Sequence, residues 1–151
     1  MENYYDKELL DYLKDKELKN FIILPSEKMD YILKFMSENY YFKAGRVYFT
    51  GYKHERYIKS DTEHLSEDAI LLFNELLQEG ICNINEKIMY IGDSLTHYVY
   101  EFHLNDLLKI MPYLMNNIPQ HHYFLFSSGD KLMYISFENE IQFGTQEKKM
   151  Q

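Results

Sequence analysis

The 151-residue chain has one cysteine, no tryptophan, three prolines and six glycines. A lone cysteine forms no internal disulfide and excludes zinc sites built on cysteine pairs. Cys82 lies in Glu-Gly-Ile-Cys-Asn-Ile-Asn-Glu, where neighbouring acids oppose the lowered pKa that a nucleophilic thiol needs. It therefore reads as a reduced, buried thiol. The longest strictly apolar run is residues 69–73, far short of the roughly 20 residues that span a bilayer. The opening Met-Glu-Asn-Tyr-Tyr-Asp lacks the basic segment of a signal peptide. The expectation is a cytoplasmic protein with no membrane partner. Cations are also scarce: 16 Lys plus Arg face 24 Asp plus Glu, a net charge of −8. That balance disfavours direct nucleic-acid binding, which needs clustered cations.

What is present is core material. Hydrophobic residues make up 46% and aromatics 17% of the chain, too much for disorder. The periodicity predicts a helix over residues 3–19, with Tyr5, Leu9, Tyr12 and Leu13 on one face. Residues 21–24, closed by Pro25, read as a short buried strand or entry segment. Ser26 is placed to cap a second helix carrying Met29, Ile32, Leu33, Met36 and Tyr40. One or two strands follow around Gly45 and Gly51, in a stretch made basic by Lys43, Arg46, Lys53, Arg56 and Lys59. Ser66 is read as the cap of a third helix ending near Gly80, its buried stripe Ala69, Ile70, Phe73 and Leu77. Residues 87–93 and 96–102 alternate as strands. Asn105 is expected to cap a fourth helix that breaks or kinks at Pro112. A hairpin closes through residues 127–130, with 141–143 as a further strand.

This order predicts one α+β domain over residues 1–144, with a frayed tail at 145–151. Its antiparallel sheet should have about five to seven strands, with three to four helices packed on it.

Gly92-Asp93-Ser94-Leu95 resembles the block that names the GDSL esterases and lipases. The resemblance implies a nucleophilic serine, but its other parts are missing. No Asp-x-x-His follows, and His103-Leu104-Asn105-Asp106 lacks the glycine of the family's Gly-x-Asn-Asp block. A strand pattern stands where the family has a helix. A serine without a base and an oxyanion hole is not activated, so the block reads as a turn between strands. The six histidines, at 54, 64, 97, 103, 121 and 122, show no ligand spacing. Adjacent His121 and His122 should point to opposite faces of a strand. No metal or cofactor is expected, and no catalytic residue is assigned.

The charge is unevenly spread. Between residues 61 and 86 there are seven acids and no Lys or Arg. Six of them, Asp61, Glu63, Glu67, Asp68, Glu75 and Glu79, form the expected partner-binding set. Asp68, Glu75 and Glu79 are spaced to share one outward helix face. Glu75 and Glu79 repel at i,i+4 and lie where the helix dipole prefers cations. Stability alone would not choose them; the face reads either as a solvated, solubility-giving surface or as an acidic surface attracting a basic protein. Aromatic anchors could come from tyrosine pairs such as Tyr4–Tyr5 and Tyr40–Tyr41.

The closing segments 121–126, 131–138 and Phe143-Gly144 resemble the last hairpin of small immunity proteins of polymorphic toxin and contact-dependent growth inhibition systems. The resemblance implies a non-catalytic protein that masks a cognate toxin, often a basic nuclease. The alternatives are a small-molecule-binding or enzymatic α+β domain, or a phage-type DNA mimic.

Overall fold

A computed structural model describes residues 3–147 and 150. Its fold is α+β. Seven antiparallel strands form one sheet in the order β1-β6-β5-β7-β8-β9-β4. They are β1 (Ile22–Ile23), β4 (Lys53–Lys59), β5 (Lys87–Gly92), β6 (Tyr100–His103), β7 (His122–Phe126), β8 (Lys131–Ile135) and β9 (Glu140–Thr145). β2 (Tyr41–Lys43) and β3 (Arg46–Tyr48) make a separate hairpin. The helices are α1 (Tyr4–Asp15), α2 (Ser26–Asn39), α3 (Leu65–Gln78) and α4 (Leu104–Asn117).

The sheet is covered on both faces because β5, β7 and β8 are apolar at almost every position, not only at alternate ones. One set of side chains, including Ile88, Tyr90, Phe124, Met133 and Phe143, packs against α1, α3 and α4. The alternate set, including Met89, Ile91, Leu125, Leu132 and Tyr134, packs against α2 and the β2–β3 hairpin. Gly144 admits this second layer: a Cβ there would stand 2.5 Å from the Phe49 ring.

Several boundaries differ from expectation, and each difference has a local cause. α3 starts at Leu65 rather than after Ser66, because Asp61 already accepts the His64 N–H at 2.8 Å. α4 starts at Leu104, before Asn105. Its first N–H groups donate to the Glu86 and Ile84 carbonyls, at 2.8 and 3.2 Å, so no side-chain cap is required. α4 also runs through Pro112, which sits on its solvent side while Ile110, Met111 and Leu114 are buried. Residues 96–99 are not strand: Gln120 takes the Thr96 N–H, and Asp6 takes those of His97 and Tyr98. β1 is an exposed edge, not a buried strand. The α3 stop at Gly80 holds: Ile81 donates to Leu76 and Gly80 to Leu77, with Gly80 at φ 74°.

The expected tail begins inside β9, at Thr145. Beyond it, Gln146 donates to the Asp130 carbonyl and Met150 to that of Ser128, at 2.9 and 2.6 Å. Residues 148, 149 and 151 lie outside the described residues. Among the described residues no helix is long and apolar enough to cross a membrane.

Candidate partner-binding surface

The Gly-Asp-Ser-Leu block lies in the loop after β5, and the buried Gln120 side chain organises it. Gln120 Oε1 accepts the N–H groups of Ser94, Leu95 and Thr96 at 3.3, 2.7 and 3.3 Å. Its Nε2 donates to Thr96 Oγ1 and the Tyr90 hydroxyl, at 2.9 and 3.0 Å. Tyr90 in turn bonds His122 Nδ1 at 2.7 Å. Burial pushes the His122 imidazole down to about 3; the His121 ring adds to this and the Ile118 carbonyl opposes it. Gly92 leaves room for the network, since a Cβ would fall 1.9 Å from Gln120 Nε2.

Asp6 holds the next turn of the same loop. Its carboxylate, 1% exposed on α1, accepts the His97 N–H at 2.7 Å and the Tyr98 N–H at 3.5 Å. It also accepts the Tyr100 hydroxyl at 2.5 Å. The N–H groups that an acyl-transfer site would aim at its substrate are thus spent on Gln120 and Asp6. Ser94 Oγ donates to Asp93 at 3.2 Å, and among the described residues no imidazole bonds it. The block is a structural hub of the loop.

His122 points into the core beside Tyr90, while His121 meets Tyr134 on the other face at 2.9 Å. Among the described residues no three His, Cys, Asp or Glu side chains group as a metal site. Burial, with Glu86 acting in the same direction and Lys131 against it, pushes the Cys82 thiol up to about 11.

The six acids of the 61–86 block separate into two kinds. Asp61 bonds the His64 ring at 2.9 Å, and that bond is the main cause raising the His64 pKa. Asp68 is half-buried and accepts the Ser60 hydroxyl at 2.6 Å. Glu79 lies one residue past α3 and pairs with Arg56 at 2.7 Å. The remaining three, Glu63, Glu67 and Glu75, are exposed and make no ion pair among the described residues. Of the expected face, Glu75 and Glu79 are exposed and Asp68 is half-buried. The exposed stripe of α3 runs Glu67, Leu71, Glu75, with Asn74 and Gln78 beside it.

Leu71 is 56% exposed at the centre of that stripe. The helical rise sets Glu67 and Glu75 about 12 Å apart on either side of it. The buried side of α3 is Leu65, Ala69, Leu72, Phe73 and Leu76, with Ile70 and Leu77 only half-buried. Sequence reasoning centred the stripe one position away and so missed Leu71.

The two arginines of the basic stretch are ion-paired in space. Arg46 pairs with Glu138 and Glu140, Arg56 with Glu79, and Lys59 Nζ donates to the Glu138 carbonyl. An open cleft of about 870 Å³ lies past the end of α3, lined in part by Lys53, His54, Glu79, Asp130 and Lys131. Its charges are mixed, and Lys131 meets Glu86 at 2.8 Å and Asp130 at 3.4 Å.

No protein-family model matches the chain, and no curated protein matches it.

Proposed function

We propose that the chain is a non-catalytic binding protein for a basic protein partner, of the kind that immunity proteins provide against a cognate toxin. The observation that supports this reading most is the outer stripe of α3. Glu67 and Glu75 stand exposed and without an ion pair among the described residues around an exposed leucine, with Glu63 in the turn before the helix. A solubilising face needs no apolar residue at its centre, whereas a docking face gains its affinity from one. Charge attracts the partner and excludes competitors of the same sign. The buried hub at Gln120 supports the same reading, since it commits the serine loop to holding the fold.

The test is binding of the purified chain to the protein encoded beside it in the genome. Glu63→Lys, Glu67→Lys and Glu75→Lys together should weaken that complex by at least about ten-fold without shifting the unfolding midpoint. Asp68 and Glu79 are left intact, because both hold the fold through Ser60 and Arg56. Unchanged affinity in the triple variant would sink α3 as the contact face.

A further inference from the structure

The seven-stranded sheet ends on β4, whose one neighbour among the described strands is β9. The opposite end, β1, is two residues long, whereas β4 has seven. A free edge of that length offers unpaired N–H and C=O groups to another strand. Which groups it offers follows from the ladder. Ser60 donates to the Asn139 carbonyl at 2.9 Å, in step with the register that sets Ile58 opposite Ile141. Backbone groups of alternate residues in an antiparallel pair point the same way, so those of Arg56 and Ile58 meet β9. Those of Tyr57 and Lys59 point away from it, and no hydrogen bond reaches them among the described residues.

Protection of this edge is confined to the start of the strand. The register slips between Lys53 and Arg56, and His54 takes a left-handed φ of 56°. Arg56 Nη1 donates to the His54 and Glu55 carbonyls at 3.0 and 3.2 Å. A bulge and capped carbonyls deter pairing there. Further along, Glu55, Tyr57 and Lys59 are exposed while Arg56 and Ile58 are half-buried, so the first three share the outer row of one face. The Tyr57 hydroxyl is held by Glu140, and its ring is 58% exposed. Lys59 Nζ donates to the Glu138 carbonyl at 2.7 Å, which uses one of the donors an ammonium carries. Glu55 meets the Gly51 N–H at 3.5 Å and no cation among the described residues.

The row reads Glu, Tyr, Lys, which complements itself when reversed. An antiparallel copy centred on Tyr57 sets Tyr57 opposite Tyr57, where the two outward N–H and C=O pairs exchange bonds. It also sets Glu55 opposite Lys59 on either side. Neighbouring registers do not match in this way. Outward groups face outward groups only in steps of two residues. One such step sets Arg56 against Arg56, and the other sets Glu55 against Asp61. Cross-strand partners of opposite charge stabilise a pair, and like charges oppose it. We infer that β4 is an interface with a second copy of this chain, a two-fold contact that joins two sheets edge to edge. This contact uses β4 and not the outer stripe of α3, so it stands whether or not a basic partner binds.

The experiment is sedimentation equilibrium of the purified chain alone, from about 1 to 200 μM. Wild type should form a dimer with a dissociation constant on the order of 10 μM, as a small interface gives. Glu55→Lys and Lys59→Glu each set like charges opposite at both ends of the pairing. Each should therefore weaken the dimer at least about ten-fold. An equimolar mixture of the two variants again sets Lys against Glu at both ends, and it should associate as tightly as wild type. A wild type that stays monomeric throughout overturns the proposal. So does a dimer that both variants form as tightly as wild type, or a mixture that associates no better than its components.

Discussion

His122 carries the clearest consequence at the scale of one residue. Its folded-state pKa of about 3 lies below the ordinary 6.5 because the ring is buried. Between those values the unfolded chain holds a proton that the folded chain does not. Stability contributed by the neutral ring is thus present above about pH 6.5 and lost as pH falls toward 3, with a slope of up to about 1.4 kcal/mol per pH unit. Urea unfolding of wild type and His122→Gln from pH 7 to pH 4 should show this as a stability difference that changes with pH. A pH-independent difference would contradict it. His64 titrates in the opposite sense: its raised pKa contributes stability that is lost as pH rises through the folded value. The Gly-Asp-Ser-Leu loop makes a second prediction. Ser94→Ala should change stability by less than about 0.5 kcal/mol, while Gln120→Leu should cost at least about 1–3 kcal/mol by stranding buried N–H groups. Equal losses in chemical denaturation would mean that Gln120 does not organise the loop.

At the scale of elements, Lys131 fastens the segment after α3 to the β7–β8 hairpin. It is 8% exposed, lies between Glu86 and Asp130, and passes over the Phe126 ring at 5.1 Å. Lys131→Ala should destabilise by about 1–3 kcal/mol, less than a fully buried pair because both carboxylates are partly exposed. Lys131→Met keeps the apolar stem against Phe126 and should recover part of that loss; equal thermal shifts in the two variants would show that the stem contributes nothing.

Element types were legible from periodicity, because each helix has a buried stripe and β5, β7 and β8 are apolar runs between turn residues. Helix starts were not. The first N–H groups of α4 are satisfied by the Ile84 and Glu86 carbonyls, and pairing across 21 and 18 residues leaves no local mark. The missing strand at 96–99 has the same origin, since Asp6 and Gln120 reach it from 91 and 24 residues away. The α3 stripe slipped by one position because residues 69–73 are apolar without interruption, so the periodicity has no phase there. That slip hid Leu71. The tyrosine pairs could not be divided by sequence either: Tyr40 is buried and donates to the Gly129 carbonyl, while Tyr41 is exposed.

For the whole molecule, the net charge of −8 is less informative than its pairing. Arg46 and Arg56 of the basic stretch are paired with Glu138, Glu140 and Glu79, and Glu63, Glu67 and Glu75 are exposed acids of the block without an ion pair among the described residues. A field of that kind is felt over a Debye length, about 10 Å at 0.1 M salt, and should act on encounter with a basic partner. The most direct measurement is the association rate constant with the protein encoded beside this chain, followed as salt rises from about 0.02 to 0.2 M. The wild-type rate should fall by about ten-fold or more across that range, and the Glu63→Lys, Glu67→Lys, Glu75→Lys variant should start slower and change little. A rate indifferent to salt and to the three reversals would contradict recognition through this acidic face.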